Sequence, residues 1–446
     1  METATVQKGT LWRNSNFLKL WTSETISQFG SQFTGLALPL TAIIILSADS
    51  VQVGILNFAG SVPWLIFGLL AGVWIDRHRK QRIMVTSNIL RGSILVLIPI
   101  AAVLGVITKL GIPFLYAISF AVGFLQVFFD ITYQSYLPSL VRRDQLVEGN
   151  RNLQASASTA QVAGPTIAGI IISIITAPIA IAIDAASFFA SALALGRIEH
   201  DEVIDREIAK PSVLADIREG LHVVFGDRRL RMIAGCTGTS NFFSTGLGTL
   251  FLLYLIQPSP AGLGVSKALA GVTAGIIFSV ASVGALVGVA ISNRAAKSIG
   301  VGPAIIGSIL IGGLGAIPYY LSGSLTVSPL FTLPLFILGG FGVNWSMLSI
   351  MAGQFVSFIA TVVYNVNQVS LRQAIVPLRL QGRMNATMRF LVWGTIPLGA
   401  ITGGLLGEFL GLRTAIGIAI LGGSLAFLWV LLSPVRSLKR IPEPLE

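Results

Sequence analysis

The chain has 446 residues, of which 53% are hydrophobic and only 11% charged, with a mean hydropathy of +0.80. A soluble surface needs roughly a quarter of its residues charged, so a string of soluble domains is excluded and a polytopic membrane protein is expected. The formal charge of +11 does not indicate a nucleic-acid binder, because the basic residues sit in short connections between apolar stretches and form no long patch.

A helix crosses a bilayer with roughly 20 apolar residues. Such stretches run over 17–45, 51–75, 83–107, 113–137, 150–175 and 178–196. A charged stretch follows, and six more spans run over 229–257, 268–291, 301–322, 346–371, 384–408 and 412–434. The expected organisation is an N-terminal six-helix bundle (1–196), a cytoplasmic linker (197–228) and a C-terminal six-helix bundle (229–446). Residues 325–345 are apolar as well, and read as an outer-side hairpin, a re-entrant piece or an extension of the ninth or tenth helix. Met1 to Asn16 is polar and leads into the first span without a cleavable signal. Lys and Arg concentrate on the cytoplasmic side of membrane proteins. Placing both termini there leaves Lys109, Lys267 and Arg413 on the other face and Arg91 inside the third span. The single Cys236 excludes an intramolecular disulfide, and His78, His200 and His222 have no ligand spacing, so neither metal nor cofactor is expected.

The two halves repeat each other. Glu24, Ser27, Gln28, Ser31, Gln32 and Gly35 of the first helix recur, 213 positions on, as Thr237, Ser240, Asn241, Ser244, Thr245 and Gly248 of the seventh. Gly68 and Gly72 correspond to Gly284 and Gly288, and Tyr133-Gln134 to Asn367-Gln368. Parallel six-helix halves of this kind build one large class of carriers.

A polar stripe at helical spacing within an apolar span faces something other than lipid. The stripes of the first and seventh helices are joined by Gln126, Asp130, Tyr133 and Gln134 in the fourth and by Tyr364, Asn365, Asn367 and Gln368 in the tenth. They line a central cavity or, on the alternative reading, bond helix to helix. Four ionisable residues, Glu24, Arg91, Asp130 and Asp184, lie within spans, where each costs at least ~2–3 kcal/mol unless paired or hydrated. Glu24, Arg91 and Asp130 stand at similar depth, which allows an Arg91–Asp130 pair and leaves Glu24 the freer acid. Asp184 enters from the opposite face, about two turns deep. Burial favours the neutral form of a carboxyl, so Glu24 and Asp130 lead as proton carriers and Asp184 follows. Permanent pairing or backbone hydrogen bonding is the competing role.

The connection from the second to the third helix carries Gly72, Asp76, Arg77, Lys80 and Arg82. It resembles the signature loop of the major facilitator superfamily, departing from it at Arg79, where the family has a second glycine. The resemblance implies a conformational latch, with Asp76 near the N-terminus of the eleventh helix and Arg142 or Arg143 as its basic partner. In the fifth helix, Ala160, Gly164, Pro165, Ala168 and Gly169 resemble the superfamily's antiporter motif, with Ala160 in place of its first glycine. Small residues at 160, 164 and 168 would offer a smooth face to Gly271 and Gly275 of the eighth helix. The blocks around Phe128–Pro138 and Tyr364–Arg372 are similar to those of bacterial exporters related to enterobactin and macrolide efflux carriers.

The resemblance implies an all-α major facilitator fold of twelve membrane helices in a bacterial inner membrane. It also implies alternating access, proton antiport and export of a small amphipathic organic molecule such as a drug, siderophore or metabolite. The fold commonly works as a monomer. An importer or uniporter of the same fold remains an alternative. A membrane-embedded enzyme finds no nucleophile elbow, phosphate loop or metal cluster in the sequence. The partners expected are the cargo, protons and the lipid bilayer, with no nucleic acid.

Overall fold

The computed structural model describes residues 11–75, 78–200, 202, 213–322, 331–333 and 341–440. Among these residues, twelve helices are long and apolar enough to cross a membrane. They are α1 (Ser15–Ile45), α2 (Ser50–Ile75), α3 (Lys80–Val103), α4 (Ile107–Leu140), α5 (Leu146–Ile175) and α6 (Ala177–Gly196) in the first half. The second half holds α7 (Arg228–Ile256), α8 (Ala270–Ile299), α9 (Val301–Ser322), α10 (Trp345–Ile375), α11 (Arg379–Leu410) and α12 (Leu412–Leu431). A further helix, Val213–Gly226, precedes α7 in the linker.

Polar residues begin several of these helices. The Asn14 side chain accepts from the backbone N–H groups of Asn16 and Phe17, both at 3.1 Å, and so caps α1. Asn344 accepts from Met347 N–H at 2.9 Å and caps α10. The start of α4 is broken at Gly111, whose φ of +67° only glycine adopts easily, and Pro113 restarts the helix beyond it. Hydropathy alone places the start of this span at 113, on the continuous side of that break.

The internal duplication is visible in the packing. In the first half α1 packs on α5 and α6, α2 on α4, and α3 on α4 and α6. In the second half α7 packs on α11 and α12, α8 on α10, and α9 on α10 and α12. The halves meet along two seams, α2 against α11 and α5 against α8, which exchange under the same two-fold relation. Glycine makes both seams tight. A Cβ on Gly404 would lie 2.5 Å from the Ser50 carbonyl oxygen, and one on Gly275 would lie 2.2 Å from that of Pro165. These approaches all lie in the part of the seams remote from the termini, hereafter the far face. The same region carries hydrogen bonds between halves, from Asn57 to Thr249 at 3.2 Å and between Thr166 and Ser279 at 2.8 Å.

Within the apolar segment 325–345, Phe331–Leu333 (β1) pairs antiparallel with Phe341–Val343 (β2), in the register Phe331↔Val343. Val343 is buried in a cluster with Val272 and Met347, against Ile170, so β2 docks on the far-face end of the α5–α8 seam.

Candidate functional site

Four helices of the first half bring the in-span ionisable groups together. Glu24 on α1 is 6% exposed; its Oε1 accepts from Gln28 Nε2 at 2.6 Å, while Oε2 is buried with no partner. Arg91 on α3 lies 3.8 Å above the centre of the Phe188 ring and donates to Asn88 Oδ1 at 3.3 Å. A cation over a desolvated ring gains up to about 2 kcal/mol. Asp130 on α4 accepts from Gln126 Nε2 at 2.6 Å. Asp184 on α6 is 1% exposed and accepts from Ser187 at 3.2 Å. Its place depends on Gly30, since a Cβ there would stand 2.8 Å from Asp184 Oδ1 and closer still to Ser187.

The direct Arg91–Asp130 pair expected from equal depth does not form. Arg91 instead sits within electrostatic reach of all three acids, Asp184 most strongly, then Asp130 and Glu24. The sequence places Asp184 about two turns deep from the opposite face. Yet it lies 12 residues from the terminal end of α6 and Arg91 lies 11 from that of α3, or about 18 and 16 Å at 1.5 Å per residue.

Two groups escaped the sequence reading. Arg389 on α11 is a charge inside an apolar span and carried the same signal as Arg91. Its guanidinium lies 5.0 Å from the Trp393 ring centre, in a cavity of about 280 Å³ that Trp64 and Ile131 also line, within electrostatic reach of Asp130. Glu202, in the linker, accepts from the backbone N–H groups of Lys80 and Gln81 at 2.6 and 2.8 Å and so caps α3. Nothing in a linear pattern signals a cap supplied from 120 residues away. An anion on a helix N-terminus is favourable, so Glu202→Ala is expected to cost about 1–2 kcal/mol. Thermal denaturation in detergent measures it, and an unchanged melting temperature would refute the cap's contribution.

The stripe residues divide between the two roles foreseen for them. Ser31, Gln32 and Gly35 line a cleft of about 470 Å³ between the halves, opposite Phe278, Ser282 and Phe358. Ser240 and Ser244 line a separate chamber within the second half. Asn241 instead joins α7 to α11 through the Val392 carbonyl at 3.1 Å, and Tyr364 joins α10 to α7 through Thr237 at 2.5 Å. Asn367 bonds to Val363 of its own helix at 2.8 Å, and Gln368 is buried with Oε1 unpartnered. Tyr133 stacks on Phe129, whereas Gln134 and Asn365 are exposed.

Among the residues expected to gate, Asp76 and Arg77 lie outside the described residues, as does the Arg143 side chain, so the latch expected at α11 has no observed geometry. Arg142 pairs with Asp144 at 3.1 Å on the exposed surface. Lys80 donates to the Ser135 carbonyl at 3.1 Å and ties α3 to α4. Arg82 is exposed, and Gly72 has no neighbour within 4 Å of its Cβ position. The small-residue face of α5 is rotated from its expected direction. Gly164 lies under Gln32 of α1, and the face meeting α8 is one residue on, with Pro165 against Gly275, Gly169 against Gly271, and the Gln161 carbonyl accepting from Ser282 at 2.9 Å. Among the described residues no group of His, Cys, Asp and Glu is arranged to hold a metal.

Residues 20–363 match the sequence profile of the Major Facilitator Superfamily. The chain is 26% identical over 196 residues to the multidrug efflux pump Tap of Mycolicibacterium fortuitum, a stretch covering 42% of this chain and 47% of Tap. It is 23% identical over 215 residues to macrolide efflux protein A of Streptococcus pyogenes, covering 47% and 51%. The chain thus spans about half the length of the curated relatives it matches. A crystallised variant of the nucleoside transporter NupG superposes with a TM-score of 0.73 at 12% identity, over 94% of this chain and 99% of that one. A profile match from the first membrane helix into the tenth, on two related six-helix halves, marks a transporter rather than an enzyme: the chain belongs to the Major Facilitator Superfamily.

Proposed function

We propose that this protein is a proton-coupled exporter of a small amphipathic organic molecule, a drug, siderophore or metabolite. It works by alternating access in a bacterial inner membrane, with both termini cytoplasmic. The observation that carries the reading is the cluster of three carboxyls within reach of only two guanidiniums, Arg91 and Arg389, with an oxygen of Glu24 unpartnered. A dry interior does not hold that excess of negative charge, and taking up protons removes it. The relay to the cargo runs along α1, where Gln28 bonds Glu24 and Gln32 donates to the Gln28 carbonyl at 3.4 Å. Gln32 itself lines the cleft. Cargo passing the cleft and protons on the cluster then favour different states, which is what antiport requires. The two efflux relatives support the export direction.

The test is transport in liposomes loaded with a pH dye, under an imposed proton gradient, with a panel of lipophilic drugs and siderophores. Cargo-dependent proton release is expected. Cargo movement with no proton flux would replace antiport by uniport or by coupling to another ion, and accumulation in the opposite direction would make the protein an importer.

A further inference from the structure

The second half contains a chamber of about 300 Å³ whose lining includes no Asp, Glu, His, Lys or Arg. It is enclosed by α7, α8, α9, α10 and α12, and shares Phe278 and Phe358 with the cleft between the halves. Those two rings therefore stand between the cleft and the chamber, and Phe243 and Phe251 supply further ring surface inside.

Four of the six hydroxyls lining the chamber, those of Ser244, Ser308, Ser357 and Thr361, give their proton to backbone carbonyls, while Ser240, the Tyr319 hydroxyl and the second N–H of Gln354 stay able to donate. A hydroxyl has one proton to give and two lone pairs. Ser308 donates to the Ala304 carbonyl at 2.5 Å, Ser357 to that of Gly312 at 2.8 Å and Thr361 to that of Ser357 at 2.9 Å. Gln354 donates to the Tyr319 hydroxyl at 2.5 Å, which leaves its amide oxygen open. With these protons committed to the protein, the chamber presents mainly acceptors beside aromatic faces. An anion finds no cation there to offset its desolvation.

We propose that this chamber is the cargo site, and that it takes uncharged, ring-bearing molecules which donate hydrogen bonds through N–H or O–H groups. The inference deepens the exporter reading and rests on it for the word cargo. It divides the labour between the halves: protons are handled in the first, cargo in the second.

The test is equilibrium binding of tritiated N-phenyl-1-naphthylamine to the purified full-length protein in detergent. Two relatives of this probe serve as comparisons, the N-methyl derivative, which has no donor, and 8-anilinonaphthalene-1-sulfonate, which adds an anion. The parent amine is expected to bind, the N-methyl derivative at least tenfold more weakly, and the sulfonate not measurably.

Two glycines locate the site. Gly248 lines the chamber, and Gly35, its counterpart in the repeat, lines the cleft; a Cβ at either meets nothing within 4 Å. Gly248→Leu is expected to weaken binding at least tenfold, and Gly35→Leu to leave it within twofold. Thr361→Val, which removes an acceptor at constant volume, is expected to weaken the parent amine several-fold and leave the N-methyl derivative unchanged. The proposal is overturned if the parent amine does not bind, if it binds no better than its N-methyl derivative or the sulfonate, or if Gly35→Leu rather than Gly248→Leu blocks it. Detergent binding needs no proton gradient, so failure of proton coupling and failure of this site are separate results.

Discussion

Liposomes carrying the Glu24→Gln protein are expected to lose cargo-dependent proton release by at least a hundredfold, a change of about 2.7 kcal/mol, while cargo still binds. Glutamine matches glutamate in shape, and its amide oxygen can accept from Gln28 as Oε1 does at 2.6 Å. The fold and the amide relay therefore survive, and what disappears is a group able to gain and lose a proton. Glu24 is the stronger choice over Asp130 because its second oxygen is buried with no partner. Asp130 is held by Gln126 and lies within electrostatic reach of two guanidinium groups, Arg91 and Arg389. Asp130→Asn is accordingly expected to slow transport but retain coupling. If instead Asp130→Asn uncouples and Glu24→Gln does not, the roles of the two acids are exchanged; if neither variant changes proton release, the acid cluster is structural.

Much of the fold could be read from the chain because a bilayer imposes strong rules: long apolar spans, basic residues gathered on one side, and a duplication offset that stays constant across each helix. What those rules do not supply is rotation. Spacing shows the stripe of small residues in α5, but one residue, roughly 100° of turn, decides that Gly164 meets Gln32 and Pro165 meets Gly275. The same limit applies to Asn241, whose spacing marks a polar face without telling that its amide reaches the Val392 carbonyl and not a cavity. Asp184 shows another limit. Counted from the terminal face its depth nearly equals that of Arg91, yet only the packing of α3 on α6 brings the two within electrostatic reach. Arg389 was legible and was passed over, since its neighbours Met388 and Phe390 raise the hydropathy of its surroundings enough to hide a single charge.

Substituting Gly275 with valine should abolish transport while leaving each half folded. A Cβ at Gly275 would meet three backbone atoms of α5, the Pro165 oxygen at 2.2 Å, its carbonyl carbon at 2.8 Å and Thr166 Cα at 3.0 Å. Backbone in a helix cannot rotate aside as a side-chain tip can, so the α5–α8 seam must open by roughly the shortfall from van der Waals contact, about 1–2 Å. That seam joins the halves and belongs to neither. Opening it disfavours only the state in which the far face is sealed, and a carrier that cannot seal one face cannot alternate. Transport is expected to fall at least a hundredfold, and a cysteine placed at Ser279, on the same seam, to become reactive toward an impermeant maleimide added on the far face. Native Cys236 is buried and adds no background. Gly284→Val is the matched comparison on the same helix. Its Cβ would meet the Phe355 carbonyl of α10, within the second half, at 2.3 Å. Overpacking of that kind destabilises by about 1–3 kcal/mol, so Gly284→Val should lower the melting temperature where Gly275→Val does not. Wild-type transport by Gly275→Val would mean that the sealed far face is not part of the cycle, and a lowered melting temperature in both variants would mean that the seam holds the fold together and does not gate it.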